Sequence, residues 1–246
     1  MSDANANAPQ PQQLELLPLP STGEGRGEGL ALTPSPTGGR QGWGQTKGTS
    51  PFAGHIPADL PTNTGQTAVH LSVGTLHSVI QLSTWPTGVD AWLSALFTAL
   101  AAPVPQETGD TQATSLGLAM RTGPEELMLV TDDVTQPPSH ETVTKLRGFI
   151  GADIGSVLDL SHARCRIRIE GERCVDTLSK LFALDFRQDA FPVGRLLLSS
   201  HHHVPCALHR TGSAGFDAYV FTTYAREMLE AIADAALEFG VALRPP

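Results

Sequence analysis

The sequence predicts an α+β fold in which two related β-α-β-β-α halves form one domain. Strands of alternating apolar and polar residues are followed by segments of helical periodicity, and this order occurs twice along the chain. The same tripeptide, Arg-Thr-Gly, stands between two predicted strands in each half, at residues 121–123 and 210–212. Because a duplicated unit repeats its elements in order, we expect two similar halves whose helices cover antiparallel sheet.

The N-terminal segment differs from the rest of the chain. Residues 1–60 are rich in Pro and Gly and lack a sustained apolar period, and "PLPSTGEGRGEG" is echoed imperfectly by "TPSPTGGRQGWG". Such low-complexity composition predicts a disordered tail over residues 1–60 and a folded domain over residues 61–246. A tail that binds a partner is the alternative interpretation.

The first half begins with two strands, "TAVHLSV" and "SVIQLST", whose residues alternate as in half-buried strands. The segment "GVDAWLSALFTALAA" predicts a helix with Leu93, Leu96, Phe97 and Leu100 on one face. A strand–turn–strand unit, "SLGLAMRTGPEELMLVT", follows and leads to a helix over residues 140–150. The strand "IGSVLDLS" completes this half.

The second half repeats the order. The segment "ARCRIRIE" predicts a strand with apolar residues on one face and three arginines on the other. A helix over residues 172–182 and a long strand region, "GRLLLSSHHHVPCALH", come next. The strand "FDAYVF" and a helix over residues 223–239 end the domain, with Gly240 placed to terminate that helix.

Composition narrows the classes of function. The chain has 246 residues, a net charge of −9 and only 16 Lys and Arg residues, which disfavours a nucleic-acid partner. Its apolar runs are too short to span a bilayer, and the N-terminus does not resemble a signal peptide. Three widely spaced cysteines do not form a disulfide framework. We therefore expect a cytoplasmic protein that binds neither membrane nor nucleic acid.

The run of three histidines in "SSHHHVPC" suggests a metal site. On a strand, however, His201 and His203 would share one face and His202 would lie on the other, with His209 the nearest further ligand. Zinc requires about four converging ligands. We favour a strand with exposed histidines and no metal, and keep a metal-binding module of His201, His203 and His209 as a weaker hypothesis.

The remaining patterns indicate no catalytic residue. The three arginines of "RCRIRIE" could bind an anion, but a solvated sheet face accounts for them. Cys165 and Cys206 occupy apolar strand positions, which is typical of buried, unreactive thiols. The folded part of the sequence contains neither a nucleotide-binding glycine motif nor a Gly-x-Ser-x-Gly elbow.

Four segments carry a family resemblance: "RTGPEELMLV", "VLDLSHARCRIRIEGERCVDTLSKLFALDFRQDAFPVGR", "HHHVPCALHR" and "FDAYVFTTYAREMLEAI". From about Thr67 to Leu243 the chain resembles the gamma subunit of heterotetrameric sarcosine oxidase. The most diagnostic motif is Asp-x-Ser-His-x-Arg, and a His-Val strand follows later. The resemblance implies structural or interface roles for five residues: Asp159, Ser161, His162, Arg164 and His203.

That gamma subunit is similar to the folate-binding domain of the glycine-cleavage T protein, whose fold the resemblance implies here. In the T protein a loop reading Arg-Thr-Gly-Tyr-Thr-Gly-Glu-Asp-Gly contacts folate. The matching loop of this chain begins at Arg210 and Gly212, is shorter, and lacks the acidic pair. Arg210 and Gly212 are therefore the candidate ligand-binding residues, and folate binding by this chain is disfavoured.

The resemblance implies a non-catalytic structural subunit in a complex with alpha, beta and delta subunits. Such a complex demethylates sarcosine oxidatively to glycine and forms H2O2 and 5,10-methylenetetrahydrofolate. FAD, FMN, NAD and tetrahydrofolate are expected on the partner subunits, and no cofactor is expected on this chain. The alternative is a stand-alone folate-binding one-carbon protein, which would keep the T-protein fold.

Overall fold

The computed structural model describes residue 52, residues 67–74 and residues 76–244. The disordered tail predicted for residues 1–60 lies outside these residues, with the exception of Phe52. The ring of Phe52 is 2% exposed and packs in the apolar core of the domain.

Eleven strands and four α-helices follow one another in the described residues. The first eight elements are β1 (Val69–Gly74), β2 (Ser78–Thr84), α1 (Val89–Leu100), β3 (Thr111–Thr114), β4 (Gly117–Gly123), β5 (Glu126–Thr131), α2 (Ser139–Phe149) and β6 (Gly155–Asp159). The other seven are β7 (Arg164–Glu170), α3 (Cys174–Leu181), β8 (Leu196–His201), β9 (Val204–Gly212), β10 (Gly215–Phe221), α4 (Ala225–Ala236) and β11 (Val241–Arg244).

The strand order confirms the predicted α+β duplication. One sheet has the order β3-β4-β5-β2-β6, and the other has the order β8-β9-β10-β7-β1-β11. Removing β1 makes the two orders equivalent, with β2 matching β7 and β4 matching β9. The assignment of β1 to the first half was wrong, because β1 inserts into the second sheet between β7 and β11.

The two halves stack as four layers. Helices α3 and α4 pack on the outer face of the six-stranded sheet, and α1 and α2 pack on the outer face of the five-stranded sheet. A smaller apolar cluster lies between the sheets and includes Val79, Met120, Leu196 and Tyr219. The inner faces of both sheets therefore meet each other, which leaves little room there for solvent.

The buried face of α1 differs from the prediction. Leu96 and Leu100 are buried as expected, but Phe97 is 60% exposed and Trp92 takes the central buried position. Trp92 lies four residues before Leu96, so both side chains point to the same side of the helix. The prediction gave Phe97 the place that Trp92 holds.

The histidine run does not form the straight strand that was predicted. His201 pairs with Val204 at the end of a hairpin, and His202 and His203 are the two turn residues, with φ values of 46° and 68°. A two-residue hairpin turn with positive φ at both positions follows the right-handed twist of its strands. The predicted placement of His201 and His203 on one strand face, with His202 on the other, was therefore wrong, because His202 and His203 lie in a turn.

The two halves meet through matching backbone segments, residues 108–111 and residues 194–196, which we call the junction. Gly109 N donates to Arg121 O at 2.8 Å, and Gly194 N donates to Arg210 O at 2.7 Å. Leu196 N then donates across the junction to Gly109 O at 2.8 Å. Equivalent segments of the two halves therefore bind each other.

A charge pair closes the same junction. Asp110 and Arg195 follow the two junction glycines at equivalent positions, and their side chains form an ion pair. Arg195 Nη2 also donates to Thr108 O at 2.9 Å. Each partner is about one-third exposed, so the pair adds specificity to the junction and only a small part of its stability.

None of the helices in the described residues is long and apolar enough to cross a membrane.

A substitution at the junction tests its importance. Gly109 has φ +93°, and an added Cβ would lie 2.6 Å from Leu196 O. Gly109→Ala should lower the free energy of unfolding by about 1–3 kcal/mol, because strain and a backbone clash add. Gly148→Ala in α2 meets nothing within 4 Å and should be neutral or stabilising by about 0.5 kcal/mol. Urea unfolding measures the stability of both variants. Equal changes in the free energy of unfolding would contradict a stabilising role for the junction.

Candidate functional site

The two Arg-Thr-Gly turns are structural equivalents. Arg121 lies two residues before the end of β4 and Arg210 two residues before the end of β9, and each is only 4% exposed. Each Nε donates to the carbonyl two residues on, Gly123 at 2.9 Å and Gly212 at 3.3 Å. Each Nη2 donates to the carbonyl three residues on. The arginine side chains therefore hold their own turns closed.

Arg210 makes further contacts. Its Nη1 donates to Phe186 O at 2.9 Å and to Phe191 O at 2.7 Å, and its guanidinium lies 5.2 Å from the centroid of the Phe216 ring. Four of the five N–H groups of Arg210 thus bind backbone carbonyls. The ligand-binding role of Arg210 and Gly212 remains a prediction, and the geometry commits this guanidinium to the protein itself.

The first carboxylate after this loop in sequence also has a partner. Asp217 is 2% exposed, and its two oxygens accept from Arg168 Nε at 2.7 Å and Nη2 at 2.9 Å. His209 stands opposite Asp217 on the neighbouring strand. Burial lowers the pKa of His209, and the negative charge of Asp217 offsets only part of this effect. We infer that His209 is neutral in the folded protein at pH 7.

Two of the three arginines on the polar face of β7 form ion pairs with carboxylates, which a face exposed to solvent would not need. Arg166 Nη1 donates to Asp132 Oδ2 at 2.7 Å, and this hydrogen bond holds the pKa of Asp132 below its usual value. Arg168 forms the second ion pair, with Asp217, so each of these two arginines has a carboxylate as its counter-charge. An anion would have to compete with these carboxylates for the same guanidinium groups.

The connection between β6 and β7 carries the diagnostic motif. Asp159 Oδ1 accepts from Ser161 N at 3.0 Å and from Ser161 Oγ at 2.6 Å, and Ser161 Oγ accepts from Val79 N at 3.0 Å. Burial opposes ionisation of Asp159, but hydrogen bonds from Ser139 and Ser161 outweigh it and lower the pKa. Asp159 and Ser161 therefore fix the shape of this connection.

Of the next residues of the motif, His162 is exposed and Arg164 is half-buried. The side chain of His162 is exposed, while its carbonyl accepts from Thr222 Oγ1 at 3.0 Å. The guanidinium carbon of Arg164 lies 3.6 Å from the centroid of the Phe221 ring. Tyr224, just beyond this ring in sequence, is 43% exposed. An arginine stacked on an aromatic ring beside exposed aromatic and histidine side chains is typical of protein interfaces.

His203 reaches the same end of the sheet by a different route. Strands β7 and β9 both run antiparallel to β10, so they begin at the same end of the sheet. His203 is exposed and immediately precedes β9, as the motif connection immediately precedes β7. The five predicted interface residues therefore lie at one end of the domain. We call residues 158–164, 201–204 and 221–224 the β7–β9 end surface.

Sequence reasoning missed other members of this surface. Leu158 is 47% exposed, and Tyr224 and Phe221 were expected only as parts of regular elements. Only the pairing of β10 with β7 shows that Phe221 stands opposite Arg164. No local pattern reveals that pairing.

The three cysteines are buried and free. Burial raises the pKa of the Cys165 and Cys206 thiols to about 12 and that of Cys174 to about 11. A thiolate is the reactive form, so these side chains serve as apolar core residues.

The histidines occupy separate positions. His209 is buried between the sheets opposite Leu196, whereas His201 lies at the hairpin end, where its Nδ1 bonds to Leu181 O at 3.1 Å. Within residues 67–74 and 76–244, no group of three or more His, Cys, Asp or Glu side chains is arranged to hold a metal ion.

The chain is similar in sequence to known proteins over about three-fifths of its length. The chain is 29% identical over 156 residues to the sarcosine oxidase subunit gamma of Corynebacterium sp. (strain U-96), covering 63% of this chain and 72% of that subunit. The subunit gamma of Arthrobacter sp. is 26% identical over 148 residues, covering 60% and 70% respectively. The chain is similar to the gamma subunit of sarcosine oxidase. The resemblance seen in the sequence is thereby confirmed, although no family model matches the chain.

Solved structures agree with this similarity to the gamma subunit. A chain of heterotetrameric sarcosine oxidase from Corynebacterium sp. U-96, in complex with pyrrole 2-carboxylate, matches with a TM-score of 0.67 at 26% identity. The match covers 79% of this chain and 97% of that chain. The glycine cleavage aminomethyltransferase T of Bartonella henselae matches with a TM-score of 0.53 at 14% identity, covering 72% and 48%. The predicted T-protein-like fold is confirmed.

Thiol chemistry tests the assigned burial. All three thiols should resist a disulfide reagent at pH 8 in the folded protein and react in guanidinium chloride, because the folded state holds them protonated. The stabilisation from these protonated thiols is present below about pH 9, their ordinary pKa, and is lost as the pH rises towards 12. A thiol that reacts rapidly in folded protein at pH 8 would contradict this.

The role of Arg210 in stability can be tested by substitution. Arg210→Met leaves four carbonyls without their donor, those of Phe186 and Phe191 in buried contacts, and should lower the free energy of unfolding by about 3 kcal/mol or more. Arg187→Met removes a fully exposed guanidinium bound to Asp185 and should change stability little. Calorimetric melting of both variants measures the difference, and an Arg210→Met protein of wild-type stability would show that the turn does not need its arginine.

Proposed function

We propose that the chain is a non-catalytic assembly subunit of a heterotetrameric sarcosine oxidase. The observation that carries the proposal is the combined match in sequence and in fold to gamma subunits, which covers 97% of a chain of the solved heterotetramer. A likeness over nearly a whole subunit supports a role within the same kind of complex.

The chemistry of the described residues fits such a role. The side chain of Arg210 donates hydrogen bonds to backbone carbonyls, and Asp217 forms an ion pair with Arg168. The cysteines are buried in the apolar core. In this proposal the oxidative demethylation of sarcosine to glycine takes place on the partner subunits. In this proposal FAD, FMN, NAD and tetrahydrofolate bind to the larger alpha and beta subunits, a delta subunit completes the complex, and the complex is cytoplasmic.

The β7–β9 end surface is the part of this chain that we assign to a partner subunit. It combines Arg164 stacked on Phe221 with the exposed side chains of Tyr224, Leu158 and His203. Aromatic and arginine side chains contribute most of the energy in many interfaces because they bury large areas with little entropy loss. Asp159 and Ser161 hold the connection beneath them in one shape.

Co-purification tests the assembly. Tagged chain recovered from its native host should bring down large flavin-containing chains, seen by their absorbance and by mass spectrometry. Recovery of the chain alone at every salt concentration tried would contradict the proposal. Thermal shift with tetrahydrofolate on the isolated chain addresses the folate-binding alternative, and we expect no shift.

Two matched variants test the surface. Tyr224→Asp places a charge in the proposed contact and should weaken partner binding at least tenfold, since an unpaired charge is costly in an interface. Phe97→Asp makes the same kind of change on α1, where the ring is 60% exposed, and should leave binding unchanged. Binding is measured by titration of the purified partners after circular dichroism has shown both variants to be folded. Equal loss in both would remove the assignment of the surface.

A further inference from the structure

The first half buries two hydrogen-bond donors that have no partner among the described residues. They are Nη1 of Arg121 and Nε1 of Trp92. Arg121 is 4% exposed and Trp92 is 0% exposed, and the guanidinium carbon lies 4.9 Å from the centroid of the indole ring. The guanidinium of Arg121 and the indole of Trp92 therefore lie together in the core beneath α1.

The second half shows how an equivalent arginine is satisfied. Nη1 of Arg210 donates to Phe186 O and Phe191 O, both in the connection between α3 and β8, residues 182–195. The corresponding connection of the first half, residues 101–110, is shorter. Its residues Gly109 and Asp110 form hydrogen bonds with the backbone of Arg121, but none of its carbonyls accepts a hydrogen bond from Nη1.

The same contrast holds for the helices. Trp92 is the fourth residue of α1, and Thr177 is the fourth residue of α3. Thr177 is fully buried, and its hydroxyl donates to Arg173 O at 2.9 Å. Both polar groups of the second half therefore have partners inside the protein, whereas their two counterparts in the first half call for an acceptor that the described residues do not supply.

The chemistry of the two donors defines that acceptor. Both groups can only donate, and one of them belongs to a buried cation that forms no ion pair within the described residues. Burial lowers the pKa of Arg121, as expected for a cation without a counter-charge. A water molecule would bring two O–H groups that need acceptors of their own, whereas an anion brings none and offsets the charge.

We propose that Arg121 Nη1 and Trp92 Nε1 together bind one small inorganic anion, of the size of chloride, in the core between α1 and the five-stranded sheet. The anion takes the place that the two loop carbonyls hold around Arg210. Because it binds the folded state alone, it stabilises the domain in proportion to the logarithm of its concentration above the dissociation constant. This inference is independent of the proposed function.

The experiment compares halides with a bulky anion on the full chain. Thermal unfolding is recorded in sodium chloride, sodium bromide and sodium gluconate at one ionic strength, and crystals are grown in bromide for anomalous diffraction. We expect a higher melting temperature in chloride and bromide than in gluconate, and a further rise as either halide replaces more of the gluconate. We also expect an anomalous bromide peak within hydrogen-bonding distance of both nitrogens.

Two tryptophan variants provide the matched comparison. Trp92→Phe keeps a ring against the guanidinium but removes the N–H, and should weaken the apparent halide affinity at least tenfold. Trp85→Phe removes an indole that is 49% exposed and donates to Ala152 O at 2.9 Å, and should leave the halide response unchanged.

Three results would overturn the proposal. They are a water molecule between the two nitrogens with no bromide peak, the same melting temperature in all three salts, and a halide response that survives Trp92→Phe. If Trp92→Phe does not fold, the bromide map of the unchanged protein still decides.

Discussion

The structure depends on two buried guanidinium groups, those of Arg121 and Arg210. A buried cation is costly unless its N–H groups find acceptors, and both side chains find them first in their own turns. The backbones of the same two residues then hold the junction segments, which bind each other across the two halves. One interaction, repeated by duplication, thus closes each hairpin and joins the halves into one folded unit.

This arrangement divides the second half into two ends with different uses. The Arg210 turn closes β9 at the end occupied by the junction, while β7 and β9 begin at the opposite end. The β7–β9 end surface therefore lies at the end of the six-stranded sheet away from the junction. In the proposed assembly a partner subunit binds that end without disturbing the junction, and the duplicated core supplies rigidity to both.

The sequence predicted the repeat and most elements, because strand alternation and helical periodicity are local patterns. It also predicted the apolar face of β7, since Cys165, Ile167 and Ile169 alternate without interruption. It failed where pairing is non-local. The insertion of β1 between β7 and β11, the burial of Trp92 against Arg121, and the stacking of Arg164 on Phe221 all depend on residues far apart in sequence. The hairpin at His202 and His203 was missed because its turn lacks the usual glycine or asparagine.

The central claim is that this chain acts by binding partner subunits through the β7–β9 end surface. Hydrogen–deuterium exchange of the chain, alone and with purified partners, tests it most directly. We expect new protection in residues 158–164 and 221–224 on binding, with the junction amides of Gly109 and Leu196 slow to exchange in both states. Protection confined to other segments, or no change on addition of partners, would contradict it.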